Sequence, residues 1–149
     1  MRRIVMILTA ALAVVLGAAA QNPIRWRMSV KMTDETCGVI TVRALVGEGW
    51  HLYGTSLPEN GPRPTRFEFA VKGVTLEGKL MASQPTVTRH DPMFDMDLNW
   101  WDSNVTFTQK FRLDRRDGAA VSLTVTYMGC NDKNCLPPKS ETLTYNFKQ

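Results

Sequence analysis

Long apolar runs are nearly missing from this 149-residue chain: one stands at the start, and none follows Gln21. Arg2 and Arg3 open the chain, Ile4 to Leu16 are almost wholly apolar, and Ala18-Ala19-Ala20 supplies small residues for cleavage. That order is the pattern of a secretory signal peptide, assigned to residues 1–20. The apolar run is short for a membrane span, which needs about 20 residues. A lipoprotein would carry cysteine after the cleavage site, and Gln21 stands there. The expectation is an exported, periplasmic protein that does not span the membrane after cleavage. Residues 21–149 suit one domain with a core of its own.

Charge of one sign is also scarce. The net charge is +4, and Arg2 and Arg3 account for half of it. The remaining basic residues are scattered, which leaves no nucleic-acid footprint. Arg112 to Arg116 is broken by acids and reads as a solvated turn. No Ser-His-Asp arrangement, phosphate loop or paired-carboxylate signature stands out, and there is no internal repeat or low-complexity tract. Helical periodicity is missing as well.

What is present is a set of strands. Ile24, Trp26, Met28, Val30 and Met32 alternate with Arg25, Arg27, Ser29 and Lys31, a period of two. Thr33-Asp34-Glu35 reads as a turn before an apolar strand from Cys37 to Val46. Trp50 to Tyr53, Phe67 to Val71 and Val74 to Leu80 follow, with a Pro/Gly-rich connection from Leu57 to Pro64. Arg89 to Met96 reads as a loop. Leu98 to Trp101, Val105 to Leu113, Val121 to Met128 and Thr142 to Phe147 complete the set. Many short strands with turn signals predict an all-β sandwich or barrel. Asp117-Gly118 predicts a hairpin between Val105–Leu113 and Val121–Met128.

Cysteine is rare and odd in number: Cys37, Cys130 and Cys135. Cys37 lies in an apolar strand and is expected to be a buried, inert thiol. Cys130 and Cys135 sit in Tyr127-Met-Gly-Cys-Asn-Asp-Lys-Asn-Cys-Leu-Pro-Pro138, a loop directly after a strand. Three uses are open to them. A structural disulfide would close a ring of six residues, worth about 2 kcal/mol against about 4 or more for a long loop. It links the loop to itself, so stapling is a weak reason for it. A zinc site would need two further ligands, and only His51 and His90 exist, far apart in sequence. Met93, Met96 and Met128 add soft sulfur that suits copper(I), although methionine more often fills a β core. Redox exchange needs a local ring that opens without unfolding the domain. Lys133 would favour a thiolate and Asp132 oppose it. Pro137-Pro138 stiffens the exit beside Cys135.

The chain resembles the amino-terminal, exported domain of the DsbD thiol:disulfide interchange protein over essentially all of residues 21–149. The cysteine loop carries most of the likeness. Gly49-Trp-His-Leu-Tyr53, Gly61-Pro-Arg-Pro-Thr65, Asp91-Pro-Met-Phe94 and Val105-Thr-Phe-Thr-Gln109 support it. The resemblance implies an immunoglobulin-like β-sandwich with the redox pair near one end. It implies that Cys135 bonds to the partner and Cys130 resolves, with no cofactor and no metal. It implies an aromatic cap over the pair, here Phe94 in the loop His90 to Met96. His90 and Asp91 are candidate tuning groups; Asp91, Asp95 and Asp97 otherwise read as solvated charges. The expected partners are exported thioredoxin-like or disulfide-isomerase-type proteins and a separate membrane electron donor. A protein-disulfide reductase component is the enzyme class implied.

The loop holds four residues between its cysteines, one fewer than the best-known members. No counterpart of the membrane or thioredoxin-like domains of DsbD stands in this sequence. The competing readings are an exported binding module whose disulfide only shapes a loop, and a soft-metal carrier. Among the other residues, His51 reads as structural. One of Trp100 and Trp101 is expected in the core and the other on the surface. Asn104-Val-Thr106 matches a glycosylation sequon.

Overall fold

The computed structural model describes residues 22–149, so the expected signal peptide lies outside the described residues. Eleven strands and no helix make up this part: β1 (Ile24–Met32), β2 (Cys37–Val46), β3 (His51–Tyr53), β4 (Arg66–Lys72), β5 (Val74–Ala82), β6 (Val87–Asp91), β7 (Met96–Trp101), β8 (Val105–Leu113), β9 (Ala120–Tyr127), β10 (Gly129–Cys130) and β11 (Lys139–Asn146). They form three antiparallel sheets in the orders β1-β2-β8-β5, β10-β3-β7-β6 and β11-β9-β4.

The first and third sheets face one another over the main core. Period-two alternation puts Ile24 and Trp26 of β1, and Ile40, Val42 and Ala44 of β2, on the inner face. Phe107 and Phe111 of β8 meet Val121, Leu123, Val125 and Tyr127 of β9 in the same cluster. Trp26 bridges the sheets, edge-on to Phe67 and to Tyr127. Burying each such side chain is worth roughly 1.5–3 kcal/mol, so this layer supplies most of the drive to fold.

The middle sheet uses both of its faces. Leu52 and Trp101 point into the main core. Their neighbours Tyr53 and Trp100 point the other way and build a second cluster with Leu98 and Cys130. The two tryptophans therefore do face opposite sides, but both are buried, because each side of this sheet has a core to fill.

Three further expectations change. β8 and β9 do not form a hairpin: β8 pairs with β2 and β5, and β9 with β4 and β11. Gly118 does make a turn, at φ +65°, but that turn carries the chain from one sheet to the other. The stretch read as a loop from Arg89 to Met96 is half strand, a β6–β7 hairpin with Pro92 to Asp95 as its turn. Cys37 is only half-buried, at the first position of β2.

Candidate functional site

The second cluster is built around the cysteine loop. β10 is two residues long and pairs with β3, setting Cys130 opposite His51 and Gly129 opposite Leu52. A β-carbon at Gly129 would strike Cδ1 of buried Ile24, so glycine lets the strand lie this close before the cysteine without moving that side chain. The chain then turns back. Asn131 accepts hydrogen bonds at its side-chain Oδ1 from the backbone N–H groups of Lys133 and Asn134, at 2.9 and 2.6 Å. The Leu136 N–H donates to the Gly129 carbonyl at 2.9 Å. This Asx turn brings the cysteine Cα atoms to 4.1 Å, and the two sulfurs are joined in a disulfide. Cys130 is fully buried; Cys135 is half-buried.

Phe94 packs against this cluster, its ring edge-on to Tyr53 at 6.1 Å. Its loop is held from below by Asp91. Oδ1 of Asp91 accepts the backbone N–H groups of Met93 and Phe94 at 2.8 and 3.2 Å, and Oδ2 accepts the Tyr53 hydroxyl at 2.5 Å. Asp95 completes the turn in the left-handed region, at φ +52°. Asp91, expected among solvated loop charges, is therefore buried, at 1% exposure. Burial, reinforced by the bond to Asp91, pushes the Tyr53 phenol far above its ordinary range, so it stays a donor.

His51 completes the group. Its ring stacks on Trp100 at 4.2 Å and meets Tyr53 edge-on at 5.0 Å. Its Nε2 is buried without a hydrogen-bond partner among the described residues, 3.8 Å from Asp91 Oδ2. Burial pulls the imidazole below its ordinary value, while the nearby Asp91 raises it.

Cys130, Cys135, Phe94 and Asp91 thus come together, and His90 does not. His90 lies on the exposed side of β6, with its ring nitrogens 3.0 Å from Asp95 and 3.4 Å from Asp97. His51, Tyr53 and Trp100 were not expected as parts of the site. The signal was available in Gly49-Trp-His-Leu-Tyr53, where spacing by two sets His51 and Tyr53 on one face of a strand. Met96 and Met128 pack against the cluster that holds Cys130, while Met93 is exposed. Among the described residues, no group of three or more His, Cys, Asp or Glu side chains is placed to hold a metal ion.

A buried cysteine joined to a more accessible one in a short loop is an arrangement suited to thiol chemistry. The family model for the N-terminal domain of the thiol:disulfide interchange protein DsbD matches residues 18–146. The chain belongs to this family. Its fold agrees with that of the N-terminal periplasmic domain of ScsB from Proteus mirabilis, at a TM-score of 0.62 and 14% identity, over 88% of this chain and 49% of that one. The chain thus spans about half the length of the ScsB domain. It also matches a chain in the complex between the DsbD N-terminal and PilB N-terminal domains from Neisseria meningitidis, at a TM-score of 0.51 and 16% identity, over 83% of this chain and 89% of that one. No curated protein matches the sequence significantly. As a DsbD N-terminal family member the chain is an immunoglobulin-like, all-β sandwich. No helix among its described residues is long and apolar enough to cross a membrane.

Proposed function

We propose that this DsbD N-terminal family domain passes electrons to or from exported proteins by dithiol–disulfide exchange at Cys130 and Cys135. The difference in burial between the two joined sulfurs carries the reading: Cys130 is fully buried and Cys135 half-buried. In the reduced domain, the Cys135 thiolate attacks a partner disulfide. A bond forms between Cys135 and one partner sulfur, and the other partner sulfur leaves as a thiolate. Cys130 then attacks Cys135, the mixed disulfide breaks, and the second partner sulfur leaves. The pair is oxidised by two electrons and the partner reduced by two. A separate exported or membrane dithiol restores the pair by the reverse sequence.

Phe94 acts as a cap that keeps small thiols and oxidants from the pair and moves aside when a partner docks. The domain begins near Gln21, works in the periplasm after signal-peptide removal, and serves as a component of a protein-disulfide reductase system. Its partners are thioredoxin-like or disulfide-isomerase-type proteins. The complex of the Neisseria DsbD N-terminal domain with the PilB N-terminal domain supports a protein as the partner. No cofactor or metal takes part in this scheme.

The test is a Cys130→Ser variant, which can form the mixed disulfide through Cys135 but cannot resolve it. It should accumulate a dithiothreitol-sensitive adduct with an oxidised thioredoxin-like protein. An unmodified variant whose Cys135 alkylates freely would defeat the exchange reading. A loop-shaping role predicts in addition that a Cys130→Ser/Cys135→Ser variant keeps full function.

A further inference from the structure

Resolution of the mixed disulfide requires Cys130 to lose a proton, and Cys130 is among the worst-placed residues in the domain to do so. It is fully buried, and burial in apolar surroundings disfavours a thiolate. Its own cluster is Tyr53, Leu98 and Trp100, with Met96, Met128 and Phe94 packed around it. A base must be close. Tyr53 is occupied in donating to Asp91 at 2.5 Å. Asp91 is fully engaged, with Oδ2 on Tyr53 and Oδ1 on the cap N–H groups.

His51 is the remaining group. Cys130 and His51 are direct cross-strand partners, and such pairs share one face of the sheet with β-carbons about 4.5–5.5 Å apart. The imidazole is fixed on that face between Trp100 and Tyr53. Its Nε2 is buried and makes no hydrogen bond among the described residues, which is costly unless the atom has another use. The side chain keeps 11% of its surface exposed, so a proton has a way out to water.

We propose that His51 accepts the proton of Cys130 as Cys130 attacks Cys135, while Asp91 stabilises the imidazolium that forms. This rests on the exchange reading above. In the step, the Cys130 S–H proton moves to the neutral imidazole and the Cys130 sulfur bonds to Cys135. The electron pair of the broken bond leaves on the partner sulfur, and the imidazolium returns its proton to water or to that thiolate. Asp91, held by Tyr53 and the cap backbone, lies 3.8 Å from the ring and supplies the counter-charge. The other ionisable groups around His51 are Tyr53 beside it on β3, Cys130 on β10, Asp132 beyond β10 and Asp102 beyond β7. The carboxylates all favour the protonated ring. Burial acts against them and keeps the resting imidazole neutral, ready to accept.

The two steps can be read separately with an aromatic disulfide whose thiolate is coloured. The first equivalent released reports attack by Cys135 and the second reports resolution by Cys130. All proteins carry Cys37→Ser to silence the third thiol. Rates are followed from about pH 5.5 to about pH 9, which spans the ordinary imidazole and thiol values. In the otherwise unaltered domain, the second phase should be flat above the His51 pKa and fall below it. In His51→Gln, it should be slower by about a hundredfold near neutrality, the low end for a positioned base. It should then climb with pH as Cys130 ionises unaided, and the gap should close. The first phase should be unaffected.

His51→Ala provides the second arm, since added imidazole should restore the second phase at neutral pH in proportion to its concentration. A His51→Gln profile parallel to that of the domain with His51, together with no imidazole rescue, overturns the proposal. Failure of the first phase in the domain with His51 would instead overturn the exchange reading itself.

Discussion

Replacing Phe94 by alanine removes the side chain proposed as the cap while leaving the backbone turn held by Asp91. Phe94 is half-buried. Full burial of a phenylalanine is worth up to about 3 kcal/mol, so half of it contributes about 1.5. The edge-on contact with Tyr53 adds about 0.5–1.5 kcal/mol. If Phe94 caps the pair as proposed, these contacts together favour the closed position by about 2–3 kcal/mol, a factor of roughly 30 to 150 in the open–closed equilibrium. A small dithiol has no surface with which to displace the cap and must wait for it to open. Its rate of attack on the disulfide should therefore rise in Phe94→Ala by up to that factor, with Phe94→Leu in between. The assay is pseudo-first-order reduction by excess small dithiol, quenched by alkylation and read by mass. A thioredoxin-like protein brings its own contacts to the cap, so its rate should change much less. Equal small-dithiol rates for the unaltered domain and the Phe94→Ala variant would refute the shielding argument.

Three other outcomes follow from the same geometry. Tyr53→Phe removes the hydroxyl that donates to buried Asp91 and should cost about 1.5–3 kcal/mol, seen as a fall in Tm. Cys130→Ser/Cys135→Ser opens a six-residue ring and should cost only about 2 kcal/mol, with one cooperative transition kept in a denaturant titration. His51 has a folded pKa held below the ordinary 6.5 by burial, so on acidification the unfolded chain takes up its proton first. Its contribution to stability is then full above about pH 6.5 and is lost as pH falls through the folded value. His51→Gln should flatten that part of a Tm-against-pH curve.

The strands with one buried face were legible in the sequence because alternation is a local property. β1, β2 and β8 run over Ile24–Met32, Cys37–Val46 and Val105–Leu113, the ranges that the pattern predicts. β6 was missed because it is a sheet edge on which Thr88, Arg89 and His90 are all exposed, so it carries no alternation. Strand pairing was not legible. Asp117-Gly118 marks a turn correctly, but a turn signal does not say whether the chain stays in one sheet. β8 and β9 both have one apolar face, and burying those faces against each other separates the strands into opposite layers. At the site, the cysteine pair stood in one contiguous motif, and Phe94 was named only through the family resemblance. The Asp91–Tyr53–His51 group did not. Asp91 stands on β6 and the other two on β3, strands that are brought together only by β7 between them. A histidine between Trp50 and Leu52 gives no local hint that its neighbour across the sheet is Cys130.

The central claim is that the Cys130–Cys135 pair exchanges two electrons with a protein disulfide. The most direct measurement is a single turnover: the fully reduced domain is mixed with one equivalent of an oxidised thioredoxin-like protein, quenched with an alkylating agent at successive times, and both chains are weighed. The account predicts that alkyl groups are lost from Cys130 and Cys135 together and appear in step on the partner's two cysteines, while Cys37 stays alkylated throughout. A partner that remains oxidised while Cys130 and Cys135 stay fully alkylated would contradict it.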